Sequence, residues 1–449
     1  MHKMLFVYPP NQLMPVETPR PDGSLGPLYL IGALREVGID ADLLDATAEG
    51  FDQCVMQENG LIRIGLTNDQ IAERIAPYDT ICINSNFTPQ TNMAFEVARL
   101  AKGKRVIAGG VNARALRDRF IATGYFDAIC MSEGEEFIKT GKEKLITNLD
   151  ELPLPAWDKL PFHLYDQIAS PHGIDLTTHE RYAPIMTSRG CPFRCAYCHI
   201  STEKGNIGDL RLKSVDRVLQ EIEILKNLGV KKLYFEDDSL LAKKTRVKEI
   251  FTAVTGMGLS IADVNGVNLV HLFKGAPDEE YLELLHTAGF RQIVFPVESG
   301  SQRILDTYAS GKLNLAKMDV VALTRAATKT GIVCPVNMMI GFPDETEAEM
   351  HQSIELARKL IDAGAPYVTF FIPIPFPGSV LYDIAIANGH LRPDFNPDIM
   401  NWKNGVMERT TVPREKIIAL RDYANESVNT NEHLKNRAQA SAITRIAKV

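Results

Sequence analysis

The sequence predicts an α/β protein. A doubly wound, Rossmann-like or flavodoxin-like N-terminal domain is followed by a partial (βα)6 TIM-type barrel and a small helical C-terminal region. Three observations predict it. Short apolar runs alternate with helical patterns over the first 140 or so residues, a proline-rich stretch interrupts them, and six further strand and helix alternations start near Ala183. With 449 residues, 45% hydrophobic and 23% charged, the chain is too long for one ordinary domain and apolar enough for more than one core. The expected boundaries are 1–142 for the first domain, 143–180 for a linker, 181–376 for the barrel and 377–449 for the C-terminal region.

In the first domain, Lys3 to Tyr8, Ala41 to Asp45, Thr80 to Asn84, Arg105 to Ala108 and Ala128 to Met131 read as strands. Between the first two, Leu28, Ile31, Leu34 and Val37 recur at helical spacing, and Gly38 supplies the stop. Such βαβ alternation makes a parallel sheet, whose ligands collect beyond the carboxyl ends of the strands. The turns there are Tyr8-Pro9-Pro10, Ser85-Asn86-Phe87-Thr88, Gly109-Gly110-Val111-Asn112 and Ser132-Glu133-Gly134-Glu135. Their small and polar residues would let the backbone approach a bulky ligand, although short turns also use glycine and serine for their own geometry.

The run Leu149-Asp150-Glu151-Leu152-Pro153-Leu154-Pro155-Ala156-Trp157 suits a semi-rigid linker. Beyond it, Pro184 to Thr187, Lys232 to Phe235, Ser260 to Val264, Gln292 to Val297, Val333 to Ile340 and Tyr367 to Ile372 read as barrel strands. Val215, Val218, Leu219, Ile222 and Leu225 form one helical stripe, and Thr346 with Glu349 makes a capping box. Function in such barrels sits at the carboxyl ends of the strands. Residues 413–447 read as helical and polar.

A net charge of −7 without a long basic run gives no support for a nucleic-acid partner and favours a small-molecule or protein substrate. No apolar run approaches the roughly 18 residues of a membrane span, and the first nine residues are too short for a signal peptide, so a cytoplasmic protein is expected. Seven cysteines do not read as a disulfide framework. Cys54, Cys82, Cys130 and Cys334 lie scattered in apolar surroundings and are expected to be ordinary buried thiols.

The other three carry the chemistry. Cys191, Cys195 and Cys198 follow the first barrel strand as CxxxCxxC, and three thiolates leave one iron of a four-iron cluster open. An open metal position marks a working site rather than a structural one. The competing reading is a structural zinc or a redox sensor in a metal-binding regulatory protein, with His199 as the fourth ligand. Adjacent residues such as Cys198 and His199 seldom fit one tetrahedral ion.

The run Arg189-Gly190-Cys191-Pro192-Phe193-Arg194-Cys195-Ala196-Tyr197-Cys198 resembles the cluster loop of the radical S-adenosylmethionine (SAM) superfamily. Phe235-Glu236-Asp237-Asp238-Ser239, Val297-Glu298-Ser299-Gly300-Ser301 and Gly341-Phe342-Pro343-Asp344-Glu345-Thr346 agree in order and spacing. Pro27-Leu28-Tyr29-Leu30, Gly109-Gly110 and Ser132-Glu133-Gly134-Glu135 resemble the cobalamin (B12)-binding domain that precedes the barrel in one branch of that superfamily. The resemblance spans roughly residues 1–400.

The resemblance implies a [4Fe-4S] cluster on Cys191, Cys195 and Cys198, SAM on the open iron, and a 5'-deoxyadenosyl radical from reductive cleavage. It implies SAM contacts from Tyr197, Asp237, Asp238, Glu298, Ser299, Gly341 and Phe342. Cobalamin would lie against Tyr8, Pro9, Asn86, Thr88, Gly109, Gly110, Val111, Asn112, Glu133, Gly134 and Glu135. His2 is the one histidine in the first 150 residues, so the Asp-x-His-x-x-Gly cobalt ligation of the better-known cobalamin-binding fold is excluded in this domain, and the resemblance implies a lower cobalt face left to a bulky side chain, water or nothing. The reading is a cobalamin-dependent radical SAM C-methyltransferase on a small metabolite or natural-product intermediate, using methylcobalamin and an electron donor such as a flavodoxin or ferredoxin. A radical cyclase, oxidase or rearrangement enzyme is the same-fold alternative. Asn265, His271, Asn337 and Tyr367 are candidates to face the cavity, and the catalytic residues stay unassigned.

Overall fold

The computed structural model describes residues 3–19, 21, 25–168, 180–202 and 209–443, which divide into two compact units. His2, the C-terminal end of the expected linker and the tail beyond 443 lie outside the described residues.

The first unit is built on five parallel strands, β1 (Met4–Tyr8), β2 (Ala41–Asp45), β3 (Thr80–Asn84), β4 (Arg105–Gly109) and β5 (Ala128–Ile129). Their spatial order is β2-β1-β3-β4-β5, the doubly wound order whose chain reversal lies between β1 and β3. All five occupy the predicted segments because near-continuous apolar runs suit strands covered on both faces. Helix Leu25–Glu36 buries Leu28, Ile31 and Leu34, while Val37 falls beyond its end and is half exposed. A three-stranded antiparallel sheet of Asn11–Leu13, Cys54–Met56 and Ile62–Ile64 was not anticipated. Its strands are too short to carry a period.

The proline-rich stretch is no free linker. Leu149, Leu152, Ala156 and Trp157 are buried, Ala156 N–H donates to Leu28 C=O at 3.0 Å, and Arg35 forks onto Asp158 at 2.8 and 2.7 Å. Gly32 is required there, because a Cβ would lie 2.2 Å from Leu154 O. The segment Leu149–Tyr165 therefore belongs to the first unit, as do residues 396–398 and 435–443, so the expected C-terminal region is not one piece.

The second unit is the barrel: β6 (Tyr182–Ile185), β7 (Lys232–Phe235), β8 (Ser260–Asp263), β9 (Phe290–Gln292), β10 (Phe295–Glu298), β11 (Val336–Met339) and β12 (Val368–Phe371). They pair in parallel as β6-β7-β8-β9 and β10-β11-β12. The single fourth strand expected over Gln292 to Val297 is thus two pieces. Between them Val294 N–H leaves the ladder and donates to Asp263 Oδ2 at 3.3 Å, and Val294 C=O accepts from Val267 N–H. Pro296 has no N–H for the ladder either, and the β10 register slips between Pro296 and Glu298.

An incomplete barrel has open edges. On β12 the edge is closed by helix Arg414–Val428. Asn425 bonds both backbone groups of Phe370 at 3.0 and 3.2 Å, and Asn429 bonds those of Val368 at 2.8 and 2.7 Å. Two amides thus replace a missing strand. Asn429→Ala is expected to lower unfolding stability by about 2–3 kcal/mol in a urea titration, because it strands a buried N–H and C=O.

Candidate functional site: the cysteine loop at the barrel mouth

The loop carrying Cys191, Cys195 and Cys198 leaves β6, and its ends are pinned before any ligand is considered. Ser188 and Arg189 pair antiparallel with Leu212 and Arg211. Asp237, fully buried beyond β7, accepts from Thr187 N at 3.0 Å, from Thr187 Oγ1 at 2.7 Å and from Ser188 Oγ at 2.5 Å. Burial pushes its carboxyl up, opposed by those bonds. Asp238 Oδ2 takes Gly190 N–H at 2.8 Å. Behind them, Arg246 bonds Thr187 O and Lys213 O, and Lys213 is paired with Glu221 in the interior.

The far side of the loop rests on the turn after helix Gln302–Tyr308. Ala196 N–H donates to Tyr308 C=O at 2.7 Å, and Arg194 N–H donates to Ser310 Oγ at 2.8 Å. That turn ends on Lys312. Its ammonium is 2.7 Å from Glu298 Oε1, which also accepts from Tyr197 Oη at 2.8 Å. Burial alone would depress the Lys312 pKa, but Glu298 and the Cys195 and Cys198 thiols outweigh it and leave it raised. Burial pushes the Cys191 and Cys195 thiols up, and Lys312 opposes it at both. One largely enclosed ammonium is therefore within electrostatic reach of all three cysteines.

Glu298 reaches this position through backbone strain. It has φ +69°, closed by Ser299 N–H to Val297 C=O at 2.9 Å. A side chain in that region costs about 1–3 kcal/mol and persists only where its surroundings hold it. The slip at Pro296 puts it there, and the bonds from Tyr197 and Lys312 keep it.

The remaining predicted residues divide. Tyr197 is half-buried beside Phe342, with ring centroids 6.0 Å apart, and Phe342 stacks on Tyr308 at 4.4 Å. Gly341 has φ +101°, and a Cβ there would lie 2.4 Å from Ile417 Cγ2. The amides of Gly341 and Phe342 both donate to Glu345 Oε2, at 2.7 and 3.0 Å. Ser299 Oγ is turned to Ser353 and accepts from Ser301 N–H. Asp237 and Ser299 thus face the protein's own backbone and hydroxyls, and the structure groups Tyr197, Glu298 and Phe342 with the cysteines. Lys312 went unread in the sequence, where only the Ser310-Gly311 turn before it gave a local signal.

In the first unit the predicted residues lie at the carboxyl ends of β1, β3 and β4 and after β5. Tyr8, Pro9 and Asn86 are half-buried. Thr88 is buried with its carbonyl on Thr91 Oγ1. Gly109 ends β4, and Gly110, at φ +104°, has no room for a Cβ, which would lie 2.4 Å from Ser85 O. Val111 and Asn112 start the following helix. Asn112 Nδ2 donates to Ser85 Oγ and Thr91 Oγ1, both at 2.9 Å, so its amide latches two turns together. Glu133 Oε2 accepts from Ile146 N–H, and Gly134 is where a Cβ would meet Leu30 Cδ2 at 2.8 Å. Glu135 is buried in the first turn of helix Gly134–Thr140.

Of the scattered cysteines, Cys82, Cys130 and Cys334 are buried as expected, and Cys54 is partly exposed. Among the described residues no three His, Cys, Asp or Glu side chains are grouped as a single metal ion requires. Three thiols on one loop are a donor set that a cluster with one open iron would take.

Residues 185–357 match the Radical SAM superfamily. An uncharacterised methyltransferase of Pyrococcus horikoshii is 28% identical, covering 95% of this chain and 90% of its own length. The cytidylyl-2-hydroxyethylphosphonate methyltransferase of Streptomyces wedmorensis is 26% identical over 90% of this chain and 85% of its own. Among solved structures, the radical SAM methyltransferase TsrM of Kitasatospora setae, with cobalamin and a [4Fe-4S] cluster bound, aligns at TM-score 0.60 and 16% identity. That alignment covers 87% of this chain and 76% of TsrM. The cobalamin-dependent radical SAM enzyme OxsB aligns at TM-score 0.61 and 18% identity, covering 87% and 56%. These two likenesses show the two-domain fold.

Burial pushes the Glu345 carboxyl up to about 8 against its bonds from Gly341 and Phe342. A carboxyl raised in the folded state holds its proton where the unfolded chain has lost it. Its stabilising share is therefore full at acid pH and falls as pH rises from about 4.5 towards 8, by at most about 1.4 kcal/mol per unit. Glu345→Gln keeps an acceptor for both amides and removes the titration. In denaturant titrations it should gain on the wild type steadily between pH 5 and pH 8; a difference independent of pH would refute the assignment.

Proposed function

From the premise that residues 185–357 belong to the radical SAM superfamily, we propose that this chain is a cobalamin-dependent radical SAM C-methyltransferase. It acts on a small metabolite or natural-product intermediate. The observation that carries this is the CxxxCxxC loop after the first barrel strand with Lys312 in electrostatic reach of its three thiols, in a chain whose other unit is a β2-β1-β3-β4-β5 parallel sheet. Methyltransferase names recur among relatives that cover nearly the whole chain.

Cys191, Cys195 and Cys198 would hold a [4Fe-4S] cluster with SAM at the open iron. The turns carrying Tyr8, Pro9, Asn86, Gly109, Gly110 and Val111 would seat cobalamin. When bound, these groups supply a carbon-centred radical and a transferable methyl group. The chain's own part is electrostatic and steric. Lys312 offsets the charge of three thiolates and offers a cation for the SAM carboxylate. Glu298, steadied by Tyr197, is an acceptor for the SAM amine. Tyr197, Phe342 and Tyr308 form an apolar wall that excludes water from a reactive centre. Asp237 and Asp238 hold the loop rather than the ligand. A flavodoxin or ferredoxin would deliver the electron, and the net charge of −7 makes a nucleic-acid substrate unfavourable. A cytoplasmic location is part of the proposal; among the described residues no helix is long and apolar enough to cross a membrane.

After anaerobic reconstitution, Cys191→Ala, Cys195→Ala and Cys198→Ala should each lose the cluster's visible absorption and all 5'-deoxyadenosine production. Lys312→Met should raise the KM for SAM about tenfold, as loss of a charge-assisted bond implies. With SAM carrying a deuterated methyl group, product should carry the label. Unlabelled product with 5'-deoxyadenosine formed would instead assign a radical cyclisation, oxidation or rearrangement.

A further inference from the structure

The turn that leaves β7 runs beside the cysteine loop residue by residue. Asp237 accepts from Thr187 and Ser188, and Asp238 Oδ2 accepts from Gly190 N–H at 2.8 Å. The next residue on one side is Ser239 and on the other Cys191. Ser239 is 3% exposed, and its Oγ is buried with no hydrogen-bond partner in the chain. Leu240 and Leu241, which follow it, are buried too. A buried hydroxyl left in this state calls for a reason, since most such groups are paired.

The Cys191 thiol feels this hydroxyl. Burial and the Asp238 carboxylate raise the thiol, and the Phe193 N–H, the Ser239 hydroxyl and Lys312 oppose them. A second hydroxyl, that of Tyr197, acts on Cys195 in the same sense, but it donates to Glu298 Oε1 at 2.8 Å. A phenol has one hydrogen to give, so of the two hydroxyls only Ser239 keeps its hydrogen uncommitted. A neutral thiol is a weak acceptor, whereas a thiolate carries charge and takes a hydrogen bond about twice as strong. In an enclosed site that bond is not diluted by water.

We propose that Ser239 is a positioning residue for electron uptake, acting through Cys191: its hydroxyl donates to the Cys191 sulfur once that sulfur binds iron, and so raises the potential of the cluster. The inference rests on the reading of the three thiols as ligands of a [4Fe-4S] cluster and extends it to the tuning of that cluster. One electron enters from a donor of the flavodoxin or ferredoxin class, which is oxidised, and no proton moves. The cluster gains one negative charge, shared with its cysteine sulfurs. A hydrogen bond to one of them stabilises the more negative, reduced form.

The test uses Ser239→Ala and Ser239→Thr in the full chain, reconstituted anaerobically and titrated with dithionite and redox mediators, with the reduced cluster counted by EPR. At the potential that half-reduces the wild type, Ser239→Ala should show a reduced-to-oxidised ratio lower by about threefold, or about 28 mV at about 59 mV per tenfold for one electron. Ser239→Thr keeps the hydroxyl and should stay near the wild type. Without the cluster the hydroxyl has no partner to lose, so cluster-free Ser239→Ala should melt no lower than the wild type, whereas a hydroxyl with a structural task would lose stability. An unchanged ratio in Ser239→Ala, a Ser239→Thr that matches Ser239→Ala, or a lower melting temperature of cluster-free Ser239→Ala would each overturn the proposal. A wild type that takes up no cluster would overturn the ligand reading and this proposal with it, and is told apart by the absent visible absorption.

Discussion

A carboxylate enclosed by protein must find its donors in the protein, and at Asp237 those donors are Thr187 and Ser188. This constraint fixes where the chain leaves β6 and hence where all three cysteines fall. The rest of the mouth is arranged around it: Asp238 holds Gly190, the 308–312 turn holds Ala196 and Arg194, and Lys312 meets the thiols. The energy of each contact is modest, but all bear on one short loop with no regular structure of its own. An irregular loop keeps a definite shape only when its backbone groups are assigned partners, and here most partners come from the ends of neighbouring strands.

Strained and broken places in the barrel coincide with the places that face the site. Pro296 denies β10 a ladder bond, the register slips, and Glu298 takes a left-handed conformation that aims it at Lys312. Two residues earlier, Val294 abandons the ladder for Asp263. A regular fourth strand would have been more stable locally and would not have aimed Glu298 at Lys312.

Much of this was legible in the sequence. Five apolar runs gave the five parallel strands of the first unit, and CxxxCxxC gave the loop. What escaped reading escaped for physical reasons. Lys312 is a single lysine with no periodicity, selected by charges at Glu298 and Cys195 that only the fold brings near. Asn425 and Asn429 look like the solvent face of a polar helix, yet they close the β12 edge, because an amide reads the same whether it meets water or backbone. Asn112 and Gly134 stood in turns read for a ligand, and the structure gives both local tasks: one latches Ser85 to Thr91, the other admits Leu30. Pro296 was the missed warning, since proline in an apparent inner strand argues for a bulge.

The anchoring of the cysteine loop bears on how the protein matures. In small zinc domains metal binding and folding are one event, and the apo chain is unfolded. Here the loop's ends and middle are held by carboxylates, hydroxyls and backbone groups of an already packed barrel, and none of those bonds passes through a thiol. On the proposed reading, iron loading would complete a loop whose backbone partners are already in place, unlike the coupled folding of a small zinc domain.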